Sequence, residues 1–270
     1  MNTMVAEKST AERKLGNLGV KPITGVFGAE ISGVDMSKPI DKVTADQINQ
    51  LITEYKVLVF RNQFSVGPVE LTRFAENFGA PEVAAHPDLP DYPGVPSVKV
   101  ITKDGTYGQD TWHTDGATRE KTRWFSFLQA IDIPPHGRDT LFADMEAVYE
   151  GLSPTMQQFF KGLTVLHSWG VSKPEALPIA HPMIMEDPAT GRGTLYVNRG
   201  YTRSIVGLQP QESDLLLEYL YRRVYIPEYQ VRVVWQPGTV TVWDNQRTQH
   251  YIVQDSRYRR TMHRVMTLVD

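Results

Sequence analysis

His113 and Asp115 stand two apart in DTWHTDGATRE, residues 110–120, a stretch almost without aliphatic side chains. Residues two apart on an extended strand share a face, so an imidazole nitrogen and a carboxylate oxygen can reach one ion. The same spacing occurs at His86 and Asp88, but Pro87 lies between them, and Pro90, Pro93 and Pro96 follow. Such a segment does not aim two side chains with the regularity of a strand, which leaves His113 and Asp115 as the preferred pair. A third ligand has to come from elsewhere in the chain: His136, His167, His181, His250 or His263. His250, in VWDNQRTQHYIV, opens an apolar strand after a polar turn, a position from which a ring can point inward. Two His and one carboxylate are the facial set of non-haem Fe(II), which leaves positions open for a chelating co-substrate and for dioxygen. Zinc takes the same donors, and ligand type alone does not separate the two. The bland alternative for a lone His is a ring satisfied by a backbone carbonyl.

The segment after His250 adds chemistry. In RRTMHRVMTL, strand alternation puts Arg260, Met262 and Arg264 on one face and Arg259, Thr261 and His263 on the other. A guanidinium inside a core strand is costly unless paired. The Arg fork matches carboxylate and sulfonate oxygens, so a ligand anion is one partner; surface acids beside a solvated edge strand are the other.

These residues need strands to carry them, and the rest of the chain supplies them. VTADQINQLITEYK reads as a helix with a capping box at Thr44 and Gln47, followed by a short buried strand at 57–60. GPVELTRFAENFG is a second helix, begun by Pro68 and ended by Gly79. Residues 80–96 read as an irregular proline-rich loop. Strands are expected in SVKVI, WFSFLQAIDI, TVLHSW and TLYVN, and a short helix after Ser153. QPQESDLLLEYLYRRV is an amphipathic helix starting at or just beyond Pro210. The C-terminal part alternates short strands with Gly/Pro turns: QVRVVW, TVTVWDN, HYIVQ and RRTMHRVMTLV. This pattern predicts a mainly β protein with flanking α, a jelly-roll core, and excludes a doubly wound βαβ sheet. Residues 168–182 read as a mobile loop, a lid over the site. No composition shift marks a boundary, so residues 16–270 are expected as one domain behind a flexible arm, 1–15.

The chain's 270 residues are 41% hydrophobic and 22% charged, enough for a core without staples. The net charge of −3 without a basic block gives no nucleic-acid track. With no Cys there is no thiolate nucleophile, iron–sulfur cluster or disulfide. The start lacks the apolar run of a secretory signal, and no run reaches the length of a membrane span. The expectation is a soluble, cytoplasmic protein.

The order His-x-Asp, distant His, then two Arg resembles the taurine dioxygenase family of Fe(II)- and 2-oxoglutarate-dependent oxygenases. VLVFRNQ, FAENFG, WHTD, GRDTLFADM, GRGTLYVN, WQPGTVTVWDNQRTQHY and RRTMHR match family blocks in the family's order, across about residues 20–270. The resemblance implies a double-stranded β-helix, with Fe(II) on His113, Asp115 and His250, and with 2-oxoglutarate and O2 as co-substrates. It implies that Thr140 and Arg260 hold the distal carboxylate of 2-oxoglutarate, and that Trp243 lies close to the iron. Arg264, His86 and the N–H of Gly116 match contacts to the substrate's anionic group. Three pocket positions depart from the taurine enzymes: Leu89 replaces a Tyr, for which Tyr92 could substitute; Gln109 replaces an Asn; Thr118 replaces a Phe. The anion end is retained and the amine end is not. That favours a sulfonate, sulfate ester, phenoxy acid or similar carboxylate over taurine, with succinate and CO2 as co-products. Asp115 argues against a halogenase. The family implies a homo-oligomer, a dimer or tetramer. A cupin-like isomerase or hydrolase, or a non-catalytic jelly-roll binding protein, are the alternatives; neither gives Arg260 and Thr140 a special role.

Overall fold

A computed structural model describes residues 11–84, 89–103, 111–170, 176–188 and 190–269. The chain begins with β1 (Arg13–Leu15), which turns at Gly16 into β2 (Leu18–Pro22), and β3 (Ala29–Ser32) pairs on the far side of β2. Arg13–Leu15 were expected within the loose arm; their backbone is instead satisfied by the β2 ladder.

The helix α1 (Lys42–Tyr55) starts before its expected capping box. Asp41 is the cap, accepting the Thr44 N–H at 2.8 Å. Thr44 thus lies inside the first turn, because a carboxylate three residues earlier already holds its N–H. After β4 (Val57–Phe60), α2 (Pro68–Ala75) runs into a short 3-10 turn that Gly79 ends at φ +146°. The proline-rich stretch contributes β5 (Ala80–Pro81) and β6 (Asp91–Tyr92). Then come β7 (Val95–Lys103), β8 (Trp124–Asp132) and β9 (Thr140–Asp144), with α3 (Met145–Glu150) and α4 (Pro154–Phe160). Four short strands follow: β10 (Thr164–His167), β11 (Ile179–Pro182), β12 (Ile184–Glu186) and β13 (Gly193–Leu195). The TLYVN strand therefore stops at Leu195. Last are β14 (Thr202–Ile205), α5 (Pro210–Arg223), β15 (Gln230–Val233), β16 (Val240–Asp244), β17 (Thr248–Ile252) and β18 (Arg260–Leu268).

The fold is mainly β with few helices. A large sheet runs β1-β2-β3-β4-β16-β8-β18-β7-β6, with β5 on the end of β18. A smaller sheet runs β15-β9-β17. Alternation sorts each central strand between two cores. Val57, Val59, Leu128, Trp243 and Met262 point toward the small sheet, where they meet Phe142, Val231 and Val233. Leu58, Phe60, Phe127, Val242 and Val265 point the other way, onto Ile48, Leu51 and Ile52 of α1 and Leu71 and Phe74 of α2. Strands buried on both faces read as unbroken apolar runs, as VLVF does. Each such side chain stabilises the fold by about 1.5–3 kcal/mol relative to exposure. The alternation expected of β18 holds: Arg260, Met262 and Arg264 share the face turned to the inter-sheet space, all buried. Among the described residues no helix is long and apolar enough to cross a membrane.

Candidate metal centre and active site

His250 lies in β17, and His113 pairs with it across a single antiparallel bridge. The His113 N–H donates to the His250 carbonyl at 3.1 Å and the His250 N–H to the His113 carbonyl at 2.9 Å. Directly opposed residues put their side chains on one side of the ladder, and the two ring centroids are 4.2 Å apart. Thr114, on the opposite side, donates its hydroxyl to the Thr248 carbonyl at 2.9 Å and locks that register. Asp115 then returns to the imidazole side. One ligand atom from each of His113, Asp115 and His250 lies within 4.8 Å of the others. The bridge turns sequence-distant residues into one donor set.

Protonation is set by what each group touches. His113 Nδ1 is 2.7 Å from the Thr111 carbonyl. A carbonyl only accepts, so Nδ1 carries a hydrogen, and the atom a metal would take is Nε2. That Nε2 is 4.0 Å from Asp115 Oδ1, while Arg264 Nη1 donates to the other oxygen, Oδ2, at 2.7 Å. Burial pushes His250 down to about 3, and His113 alongside adds to this, against the opposing pull of Asp115. His250 is therefore neutral over the ordinary pH range, the form in which an imidazole can take a metal, and among the described residues its buried Nδ1 has no hydrogen-bond partner. Two imidazoles and a carboxylate turned by an Arg fit a divalent ion such as Fe(II). His113, Asp115 and His250 would hold it.

Behind the donor set, Arg260 is 2% exposed. Its Nη1 donates to the Arg138 carbonyl at 2.7 Å, and its guanidinium stands 5.9 Å from the Trp235 ring centre. Trp235 Nε1 donates to Thr140 Oγ1 at 3.0 Å, so the oxygen of that hydroxyl is already engaged. Trp243 Nε1 is tied to Asn245 Oδ1 at 2.8 Å, and its ring stands 5.3 Å from that of His250. All seven of these residues (His113, Asp115, Thr140, Trp243, His250, Arg260, Arg264) line one cavity of about 240 Å³. A larger concavity of about 800 Å³ over the N-terminal hairpin contains none of them.

Of the other expected contacts, His86 and Gln109 lie outside the described residues. Gly116 is in the turn directly after Asp115, at φ +78°, but is not among the cavity-lining residues. Leu89 lines the cavity. Tyr92 does not take the place of the absent Tyr: its ring packs 5.1 Å from His263, on the face of β18 opposite Arg264. The expected loop 168–182 is partly ordered as β11, and residues 171–175 fall outside the described part. Sequence reasoning missed Trp169 and Tyr201, which both line the cavity. Their rings meet edge-on at 5.2 Å, and Tyr201 stands 6.3 Å from His113. Neither is marked by any spacing; a Trp after a strand and a Tyr in a turn have no periodicity to betray them.

A two-sheet β scaffold with two imidazoles and a carboxylate, backed by a buried Arg, is that of the non-haem, 2-oxoglutarate-dependent dioxygenases. The family model "Taurine catabolism dioxygenase TauD, TfdA family" matches residues 19–266, and the chain belongs to that family. It is 34% identical over 258 residues to an alkylsulfatase of Acinetobacter baylyi, covering 88% of this chain and 80% of that one. It is 32% identical to an alpha-ketoglutarate-dependent sulfonate dioxygenase of Saccharomyces cerevisiae, over 91% of this chain and 65% of that one. A crystal structure of a taurine dioxygenase from Burkholderia xenovorans superposes with a TM-score of 0.86 at 33% identity, covering 94% of this chain and 90% of that one. The chain is thus an oxidoreductase that uses Fe(II), 2-oxoglutarate and O2.

Proposed function

We propose that this enzyme hydroxylates a small organic anion with an apolar body, releasing succinate and CO2. The candidate substrates are an alkyl or aryl sulfonate, a sulfate ester or a phenoxy acid. Iron with 2-oxoglutarate and O2 supplies the oxidation; the chain supplies position and dryness. Arg260 and Thr140 hold the distal carboxylate of the keto acid, so that it lies in one orientation. Arg264 is shared between Asp115 and the substrate's anionic group, which the Gly116 N–H and His86 also meet. Trp243 and Phe142 wall off the His250 side from water.

The observation that carries the reading is the charge of the cavity. Three cations line it, Lys103, Arg260 and Arg264, against a single carboxylate, Asp115, which already accepts from Arg264 at 2.7 Å. Among the described residues no lining acid is left for an ammonium group, while Leu89, Ile101, Trp169 and Tyr201 offer an apolar or aromatic wall. Among the described residues a zwitterion such as taurine or an amino acid meets no carboxylate for its amine beyond the Arg264-paired Asp115; an alkyl or aryl anion meets surface of its own kind. The scaffold belongs to the same proposal: a jelly-roll, double-stranded β-helix core over residues 16–270 as one domain, in a cytoplasmic homo-oligomer.

A panel of hexyl sulfate, hexanesulfonate, phenoxyacetate, taurine and amino acids tests it, read as Fe(II)-dependent succinate release above the background without substrate. Stimulation by the first three and not by taurine is expected. Stimulation by taurine or amino acids alone would overturn the substrate class.

A further inference from the structure

The turn Gly116–Arg119 follows the carboxylate ligand directly and is closed by the Arg119 N–H, which donates to the Gly116 carbonyl at 3.0 Å. A Cβ on Gly116 would stand 3.2 Å from Trp124 Cδ1, so the turn lies flush on the indole. The guanidinium of Arg119 lies over the same indole, 4.8 Å from its centre, and forms an ion pair with Glu82. Trp124 is itself fixed, its Nε1 donating to the Lys121 carbonyl at 2.7 Å.

Glu82 comes from a different part of the fold. Its side chain is 8% exposed, and its N–H donates to the Met266 carbonyl at 2.8 Å. That bond continues the pairing of β5 with Thr267 and Leu268, so Glu82 is fastened to β18 two residues past Arg264. A carboxylate this buried loses a good part of its hydration and needs the guanidinium, which makes the pair more than a surface contact. One ion pair therefore joins the turn that follows the metal carboxylate to the strand that carries the anion-binding Arg.

We infer that Glu82 and Arg119 are positioning residues for the substrate's anionic group: as a latch between the Gly116–Arg119 turn and β18, they set the gap between the Gly116 N–H and the Arg264 guanidinium. This rests on the function proposed above. Because the Arg119 charge is taken by Glu82, Arg119 acts through the turn and not on the anion itself. Glu82→Gln and Arg119→Gln should then be equivalent, and the double variant no worse than either.

Two measurements on full-length protein decide it. In the first, amide hydrogen exchange of residues 80–84 and 116–119 is followed without metal or substrate. Both segments should exchange about tenfold faster in either single variant and return toward the parent rate in Arg119→Lys; unchanged exchange overturns the latch. In the second, the affinity for hexyl sulfate is measured anaerobically with Fe(II) and 2-oxoglutarate bound. It should weaken by about tenfold or more in each single variant, with the affinity for 2-oxoglutarate unchanged and no further loss in the double variant. Losses that add, or a loss on Arg119→Gln that Glu82→Gln does not share, would make Arg119 a direct anion contact and overturn the proposal. A parent enzyme that does not bind hexyl sulfate contradicts the substrate class, while the exchange rates still decide the latch.

Discussion

Two groups of buried charges sit on either side of β17, and they are built in opposite ways. Outside the cavity, Lys56 Nζ is 3.0 Å from Asp144 and 3.0 Å from Glu146. Arg247 Nε donates to Asp244 at 2.9 Å, and its Nη atoms donate to the carbonyls of Thr53 and Ile52 at 3.1 and 3.3 Å. Arg192 reaches Glu146 from the surface at 2.8 Å. Each of these acids meets a cation, and the carbonyls at the end of α1 are consumed as well. Inside the cavity, among the described residues, three cations (Lys103, Arg260 and Arg264) face one carboxylate, Asp115. The first group is closed and holds the β16–β17 turn against α1, the turn from which His250 departs. The second is left incomplete, as expected where ligands finish the pairing. Burial alone does not mark a functional charge; a local excess of one sign in a cavity does.

Variants separate the two groups. The largest effect is expected from His113→Ala or His250→Ala, which should abolish metal-dependent 2-oxoglutarate consumption and Fe(II) binding while the metal-free protein keeps its urea midpoint. A variant that still binds Fe(II) tightly would remove that residue from the donor set. Lys56→Met, in the closed group, removes the cation 3.0 Å from Asp144 and one of the cations on Glu146 and should cost about 3–5 kcal/mol of stability, with turnover per folded molecule retained. Urea unfolding together with activity shows whether the loss is confined to stability. Arg260→Gln should weaken 2-oxoglutarate by about 2–3 kcal/mol and leave urea stability nearly unchanged, the reverse of the Lys56 result; calorimetric titration reads it.

A pH scan adds a third contrast. His167 is held down to about 3 by burial first and by His181 second, and His181 is also lowered by burial. Their folded values lie below the unfolded one, so the unfolded chain binds more protons as pH falls below about 6.5. Their penalty is absent above that pH and grows below it, by up to about 1.4 kcal/mol per pH unit for each group. Unfolding free energies at pH 7 and pH 5 measure this, and replacing His167 by Phe should flatten the slope. The smallest effect is that of Asp41→Ala, which removes the α1 cap and should lower the urea midpoint slightly with no change in any ligand affinity.

How much of this was legible in the chain differs from feature to feature for physical reasons. The inward face of β18 was readable because alternation is a property of the backbone, and Arg260 and Arg264 had to land beside Met262. His250 was readable from the apolar strand it belongs to, though β17 begins two residues before it, at Thr248, and only the family blocks singled it out among five candidates. The cap of α1 was misplaced because Thr44 and Gln47 match a real signature, while Asp41 lay one turn earlier with a stronger acceptor. Strands of three or four residues such as β1, β3 and β12 were missed because so short a run carries too little pattern. Trp169 and Tyr201 were hidden for another reason: they converge on the cavity from unrelated loops, and no local sequence rule encodes such a meeting. Tyr92, paired with Val95 in β6 and turned onto His263, shows that nearness along the chain does not predict which side of a sheet a ring will take.

The bond from Trp235 to Thr140 has a consequence for ligand choice. With one of its two lone pairs already accepting, the threonine has its proton to offer, and the neighbouring guanidinium only donates. A ligand terminus lying between them is best matched when it is all acceptor. An ionised acid satisfies both at once through two oxygens, whereas a carboxamide has one carbonyl oxygen and brings N–H groups that the guanidinium cannot receive.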